Sequence, residues 1–324
     1  MQAVGAPSMP SSSTRYATDA YPGFDREEEI VGSGKKEPRW FSWFNGPAKE
    51  TAAEQLAYAK ACEEDKSWRS ARKAYDALVR EWPTSPEAPK AQEALADLYL
   101  EHERDYESAF AEYKYLLDYY SSDCDFDAIA FRLHEVAKLM QEEGKTIVFF
   151  RFANTVDVRR AFEAVVLRAP GASYAPAAML TIAGLREDDG EYEKAVQVYE
   201  NLRNLHAFSP EAKTALYREA RARMNLLRDH AYNRPRCQDT VAFLKMALAS
   251  APGLAEKTDF EAWLAESVGL LEDEAFAAAK FYDSRTRTRR SAINAYERFL
   301  SDYPASTHAP EARARLTELQ QEGK

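Results

Sequence analysis

A stripe of small, aromatic and aliphatic side chains recurs six times in this sequence and constrains the fold more than any other feature. In each copy a small or β-branched residue is followed four positions later by an aromatic or apolar residue, and then by further apolar residues at spacings of three and four. Such spacings place all members on one face of a helix. The six stripes begin at Ala71, Ala109, Val158, Ala195, Thr240 and Ala292. Because they return with an irregular period of about 35 to 50 residues, they predict stacked helical hairpins that bury their stripes against neighbours.

Three of the predicted helices end in a proline that opens a shared phrase. The phrases occupy 83–91, 170–178 and 304–312, and each has a second proline six positions after the first. The first proline stops one helix, and the second falls in the first turn of the next helix, where a missing N–H costs nothing. A Ser or Thr between the two prolines is expected to cap the second helix. Each phrase therefore predicts a tight joint between two helices.

The stripes and joints together divide the chain into a tail and a helical body. Residues 1–46 are rich in Ser, Pro and Gly and predict a disordered or extended tail with an aromatic cluster at 40–44, whereas 47–324 form the repeat body. The aromatic cluster either caps the first repeat or anchors a partner or membrane surface. Segment 146–152 is β-prone and departs from the helical period, so it is either a long hairpin connection packed onto the repeats or an exposed apolar docking element. The predicted helices are 48–64, 69–82, 86–102, 106–120, 126–143, 155–168, 174–187, 191–206, 210–229, 238–251, 258–283, 289–302 and 309–321. The long helix 258–283 could contain a bend or an extra helix.

Composition argues against several classes of function. A formal net charge of −10 does not suit a general nucleic-acid binder, and no apolar run is long enough to span a bilayer. Three widely spaced cysteines predict neither a disulfide framework nor a zinc site. The five histidines are scattered, and neither a Gly-rich phosphate loop nor a nucleophile elbow is present. We therefore expect a protein that is not an enzyme and that binds no cofactor or metal.

Positive charge is concentrated late in the chain, in two groups of arginines. The first group is Arg218, Arg221, Arg223, Arg228, Arg234 and Arg236, and the second is Arg285, Arg287, Arg289 and Arg290. One interpretation is ion pairing along the helices, with Glu219 or Asp229 as acceptors. The other is a docking surface for an acidic partner, because the guanidinium group binds carboxylates with two parallel hydrogen bonds.

The repeats resemble a known class. The turn at 192–195, the small and aromatic stripes and the helix-ending prolines resemble tetratricopeptide repeats over about 48–322. The resemblance implies an all-α, right-handed superhelical solenoid of about six tetratricopeptide-like hairpins plus a C-terminal capping helix. Within that class, 157–175, and 279–285 leading into 292–304, resemble the BamD family, lipoproteins of the outer-membrane β-barrel assembly machinery. This resemblance implies a periplasmic scaffold whose early repeats bind unfolded outer-membrane proteins and whose late repeats dock a BamA-like partner.

Repeat phase also predicts a peptide groove along the first helix of each early hairpin. The predicted groove residues are Lys60, Glu63, Lys90, Glu93, Asp97 and Glu101, although these side chains could equally be only solvated. Two other functions stay open, a repeat adaptor of another cell-envelope complex of the Tol-Pal coordinator type and a cytosolic peptide-binding adaptor. The first residues lack the pattern of a signal peptide. We expect a cytoplasmic protein if Met1 is the true start, and one at the periplasmic face of the outer membrane, held by a lipid anchor, if a leader has been removed.

Overall fold

The computed structural model describes residues 21–25, 46–146, 151–229, 233–250, 257–284 and 289–321. Within these ranges every regular secondary-structure element is a helix and no strand occurs, which confirms the predicted all-α fold. The thirteen α-helices are α1 Ala52–Glu64, α2 Trp68–Glu81, α3 Ala88–Leu98, α4 Tyr106–Tyr119, α5 Phe126–Thr146, α6 Arg151–Arg168, α7 Ala175–Asp188, α8 Tyr192–Leu205, α9 Pro210–Asp229, α10 Arg234–Ser250, α11 Lys257–Asp283, α12 Arg289–Asp302 and α13 Ala309–Gln321. After α3 the chain continues as a π-helical turn, Tyr99–Glu103.

From α1 to α8, and again from α9 to α13, helices that follow each other in the sequence pack against each other, so the described part of the chain consists of six hairpins and a final helix. The predicted stripes form the contacts. Ala71, Tyr75 and Leu78 on α2 are almost completely buried, and the stripe on α4 is buried in the same way. Both ends of the predicted β-prone segment are helical, because α5 ends at Thr146 and α6 begins at Arg151. Residues 147–150 lie outside the described residues.

The three proline phrases form the same joint. In the first, the Ser85 N–H donates to the Trp82 carbonyl and the Ala88 N–H donates to the Ser85 carbonyl, both at 3.1 Å. The other two phrases repeat this pair of backbone hydrogen bonds at equivalent positions. The second proline lies in the first turn of α3 and α7, as predicted. The predicted Ser or Thr cap is wrong for these two helices, because backbone hydrogen bonds close the joint and no side chain caps the helix start.

The joint between α7 and α8 turns on a glycine, as the sequence predicted. Gly190 has φ +74°, a left-handed conformation that glycine adopts without steric cost. The Glu191 N–H then donates to the Arg186 carbonyl at 2.8 Å, which closes the end of α7. This turn holds Arg186 at the end of one helix and Glu191 at the start of the next, two residues that matter below.

The chain divides into two compact units, Met1–Ala212 and Lys213–Lys324. In the second unit α11 is one continuous helix, so the extra helix allowed in the sixth hairpin does not form, whereas the bend stays a prediction. Its start, Phe260, packs with Met224 and Phe243, and its end, Phe276, packs with Phe299. The boundary predicted at residue 47 stays a prediction. None of the described helices combines the length and apolar content needed to cross a bilayer.

Candidate functional site

A short segment of the N-terminal tail, 21–25, lies against the helices of the first unit. Its sequence is Tyr-Pro-Gly-Phe-Asp, and the rings of Tyr21 and Phe24 stack on each other with centroids 5.2 Å apart. The segment contacts side chains of α6, α7 and α8, more than 130 positions away along the chain. The predicted tail therefore contains an anchored segment. Its aromatic cluster at 40–44 lies outside the described residues.

The Asp25 carboxylate is the main anchor of this segment. Arg186 Nη2 donates to Asp25 Oδ1 at 2.9 Å, while Arg159 Nη2 and Arg160 Nε approach Oδ2 at 3.2 and 3.4 Å. The same Arg186 Nη2 donates to Glu163 Oε1 at 2.9 Å. We call these five residues, Asp25, Arg159, Arg160, Glu163 and Arg186, the Asp25 cluster. Three cations thus surround two carboxylates in the interior of the first unit.

Burial makes this cluster unusual. The side chains of Arg186 and Glu163 are fully buried, and those of Arg159 and Asp25 are 6% and 9% exposed. Charged side chains are rarely buried to this extent unless they are paired, because removal from water is costly. Arg159 also pairs with Asp189 at 2.9 Å, and Arg186 also donates to Glu191. The two carboxylates at the α7–α8 joint therefore hold the outer side of the cluster.

The two buried carboxyls of the cluster have pKa values shifted in opposite directions. For Asp25, burial raises the pKa, but the hydrogen bond and charge of Arg186 and the charge of Arg159 outweigh it and lower the pKa to about 2. For Glu163, burial dominates and the neighbouring Asp25 charge adds to it, so its pKa is raised to about 7 despite the two arginines. Asp25 is thus ionised at neutral pH, whereas Glu163 titrates there.

The backbone of the segment is held as firmly as the carboxylate. The Asp25 N–H donates to Glu163 Oε2 at 3.2 Å, and the Pro22 carbonyl accepts from Asn201 Nδ2 at 3.0 Å. Gly23 has φ +91°, and a Cβ placed on it would lie 2.5 Å from the Lys194 carbonyl oxygen. No side chain fits in that space, so the position requires glycine. The helices thus contact the segment at Pro22, Gly23 and Asp25.

Sequence reasoning missed this site, although signals were present. Arg159 and Glu163 are four positions apart on a face of α6 that is otherwise apolar, and Arg186 stands in a mostly apolar helix. Charged residues at buried positions need partners. In the tail, the Pro-Gly pair between two aromatic residues indicated a local turn. Nothing in the local pattern, however, indicated that the partner of these helices was Asp25.

Some of the predicted groove residues contact a neighbouring helix, and the others are exposed. Lys60, Lys90 and Glu101 are exposed, whereas Glu63, Glu93 and Asp97 are half-buried. Glu63 accepts a hydrogen bond from the Tyr75 hydroxyl at 2.6 Å. Their role in peptide binding stays a prediction.

The structure brings Glu93 and Asp97 together on α3, opposite Arg132 of α5. Burial and the Asp97 charge raise the pKa of Glu93, which Arg132 opposes. Asp97 also accepts a hydrogen bond from Tyr113. An acidic pair with one arginine therefore lies across two first helices of neighbouring hairpins, the place where the groove was predicted.

The late arginines are largely used for contacts within the second unit. Arg223 donates twice to Glu219, at 2.9 and 2.7 Å, and Glu219 is fully buried. The other described pairs and contacts are Arg228 with Glu266, Arg234 with Glu274, and Arg289 with the Leu319 carbonyl. Two more of these arginines, Arg218 and Arg236, are half-buried, and Arg236 has further interactions. The exposed Arg221 and Arg290 complete the described set, because Arg285 and Arg287 lie outside the described residues. The ion-pair interpretation thus describes Arg223, and the docking interpretation stays a prediction.

The similarity of this chain to solved structures lies among tetratricopeptide-repeat proteins. One is the crystal structure of a tetratricopeptide repeat protein from Parabacteroides merdae, 14% identical over 83% of this chain and 98% of that chain, with a TM-score of 0.29. Another is the C-terminal part of a TPR repeat-containing protein from Cytophaga hutchinsonii, 13% identical over 88% and 93%, with a TM-score of 0.30. No family model and no curated protein matches the chain. The repeat fold therefore rests on the hairpins themselves.

Proposed function

We propose that this protein is a non-enzymatic scaffold that binds protein partners on its helical repeats. The observation that carries the proposal is the Tyr21–Asp25 segment, a turn closed by a hydrogen bond from the Phe24 N–H to the Tyr21 carbonyl and held on α6–α8 through its backbone and one carboxylate. A face that binds one such turn has the hydrogen-bonding groups and the space to bind others. Stacked hairpins present such faces repeatedly, which suits a scaffold.

More specifically, we propose a BamD-like role, as a periplasmic scaffold of outer-membrane protein assembly. The resemblance in 157–175 supports this role. The same stretch includes the part of α6 that carries Arg159, Arg160 and Glu163. The second phrase, 279–304, spans the end of α11 and all of α12 in the second unit. The early repeats would then bind unfolded barrel substrates, and the late repeats would dock a BamA-like partner.

The docking part can be tested with a purified BamA periplasmic fragment and the full chain. Among the exposed late arginines we choose Arg221 and Arg290, because Arg228 pairs with Glu266. Reversing the half-buried Arg223 would instead remove the guanidinium group that binds the buried Glu219. The double variant R221E/R290E should slow association several-fold at about 50 mM salt and less at about 200 mM, because exposed charges act on the encounter rate. The matched control is K213E/K245E, which makes the same change in charge at exposed positions of the same unit.

The outcomes separate the two levels of the proposal. Binding by the wild type that is insensitive to salt and to R221E/R290E would contradict the arginine docking surface. If the wild type does not bind the BamA fragment, the BamD-like role is wrong. For the substrate groove, exchanging the exposed charges as K90E/E101K keeps the net charge and should weaken binding of an unfolded barrel-protein segment. Unchanged binding would remove the groove assignment.

A further inference from the structure

The Asp25 cluster carries an inference about the partner, because the helices alone leave it electrostatically incomplete. With the segment in place, the helices α6 and α7 contribute the buried Arg159 and Arg186 but only one buried carboxylate, Glu163. Asp189 and Glu191 compensate only from the rim, where their side chains are 30% and 35% exposed. A buried excess of positive charge is costly unless a further anion enters. Asp25 provides that anion.

The site recognises more than charge. It requires glycine two positions before the carboxylate, since any larger residue would meet the Lys194 carbonyl and Val198. It also binds one carbonyl, through Asn201, and one N–H, through Glu163. In peptide recognition, backbone hydrogen bonds commonly supply affinity and side-chain requirements supply specificity. The contacts therefore form a peptide-recognition site with a definable sequence preference.

The chain's own segment does not satisfy this site completely. Among the described residues, the buried Nε–H groups of Arg159 and Arg186 have no acceptor, and Arg159 Nε lies 3.8 Å from the nearest Glu163 oxygen. Buried donors without acceptors weaken the complex relative to an occupant that pairs them. The segment belongs to the same chain as the site, so it competes at an effective concentration that the intervening chain sets, up to roughly millimolar for flexible linkers. It can therefore occupy the site with weak intrinsic affinity.

We propose that the Asp25 cluster is an exchangeable recognition site. The chain's own 21–25 occupies it in cis, and a partner segment that forms the same turn, with a Pro-Gly pair between two aromatic residues and a carboxylate after them, replaces it in trans. The proposal rests on the scaffold function but does not depend on the identity of the partner. The tail segment then acts as a built-in competitor that raises the affinity a partner needs.

The test uses the full chain and a fluorescent peptide of residues 19–27. In the variant G23A/D25N the cis segment is weakened, because the added Cβ clashes and the carboxylate is lost. The peptide should bind this variant at least about tenfold more tightly than it binds the wild type, in which the intact segment competes at high effective concentration. The exposed Glu200 on α8 provides a control, since E200Q changes a carboxylate to an amide outside the cluster and should leave binding as in the wild type.

Peptide and site variants show whether recognition is specific. Peptides with Gly23→Ala or Asp25→Asn should bind G23A/D25N more weakly than the wild-type peptide does. Adding R160Q to the variant should also weaken binding, because Arg160 contacts Asp25 and its side chain is 29% exposed, so that the substitution spares the core. If none of these three changes lowers the peptide affinity, the proposal is wrong.

A structural role for the segment predicts a different result. In that case G23A/D25N melts at a lower temperature, and the added peptide neither binds nor restores the melting temperature, which would also overturn the proposal. Failure here is distinguishable from failure of the BamD-like role. If the chain exchanges the peptide but does not bind a BamA fragment, the exchangeable site is supported and the BamD-like role is wrong. If the chain binds the fragment but does not exchange the peptide, the BamD-like role is supported and the exchange is wrong.

Discussion

Replacing Arg186 by methionine should destabilise the first unit strongly. The substitution keeps a long unbranched side chain but removes the guanidinium group that donates to Asp25, Glu163 and Glu191. Glu163 remains fully buried, and its nearest remaining cation is Arg159, with Nε 3.8 Å from Oε1. The variant therefore leaves a buried carboxyl with little compensation.

The size of the effect follows from this geometry. Removing one partner of a buried ion pair costs about 3–5 kcal/mol. The pKa of Glu163 is already about 7, so the carboxyl can become neutral at little cost, and the lower end of that range applies. We expect a loss of about 3 kcal/mol, which in a unit of this size lowers the melting temperature by roughly 6–12 °C.

The assay is urea unfolding followed by circular dichroism, with R186M compared with R186M/E163Q. Because glutamine is neutral, the double variant should regain at least about 1 kcal/mol of the loss. R186K serves as a control that keeps the charge but loses the forked geometry, and it should lie between the wild type and R186M. If the double variant is no more stable than R186M, then the buried Glu163 is not the source of the loss and the electrostatic account of the cluster is wrong.

The same cluster predicts how stability depends on pH. The folded pKa of Glu163 is about 7, above its ordinary value of 4.5, so the folded state retains a proton that the unfolded state releases, and stability falls as pH rises from about 4.5 to 7. The folded pKa of Asp25 is about 2, below its ordinary value of 3.8, so its contribution is present above about pH 4 and lost as pH falls toward 2. Urea midpoints should fall between about pH 5 and 8 in the wild type and less in E163Q. An equal fall in both would contradict the assignment to Glu163.

Two further substitutions test other contacts by urea unfolding. R223M should cost about 2–3 kcal/mol, because it removes the guanidinium group that donates twice to the buried Glu219 carboxylate. R221M at the exposed neighbouring site should cost less than about 0.5 kcal/mol; equal effects would mean that the Arg223 pair contributes nothing. Y120F should cost about 1–3 kcal/mol, since the Tyr120 hydroxyl donates to the buried Pro83 carbonyl at 2.6 Å. An unchanged midpoint for Y120F would show that water replaces the hydroxyl.

The helical hairpins could be predicted from the sequence because their signals are local. Spacings of three and four define the buried face of each helix, and the proline phrases define where helices end. The predicted start of the helix at 69 and the observed start at Trp68 differ by one residue, and the predicted end at 229 is the observed end of α9. Larger differences occur where local signals compete. The predicted start at 48 moves to Ala52, because Thr51 caps α1 and the Gln55 side chain binds the preceding backbone.

The Asp25 cluster could not be predicted from the sequence, because its members are joined only by the tertiary structure. Asp25 and Arg186 are 161 positions apart, and no periodicity links a tail residue to a helix that distant. Likewise, composition shows a late group of arginines, but only packing shows that Arg223 is committed to a buried carboxylate. The sequence by itself determined which segments are helical and which faces they bury, since those depend on neighbours a few residues away. Which charges meet in the interior was decided only by tertiary packing, because a buried ion pair depends on where distant segments come together.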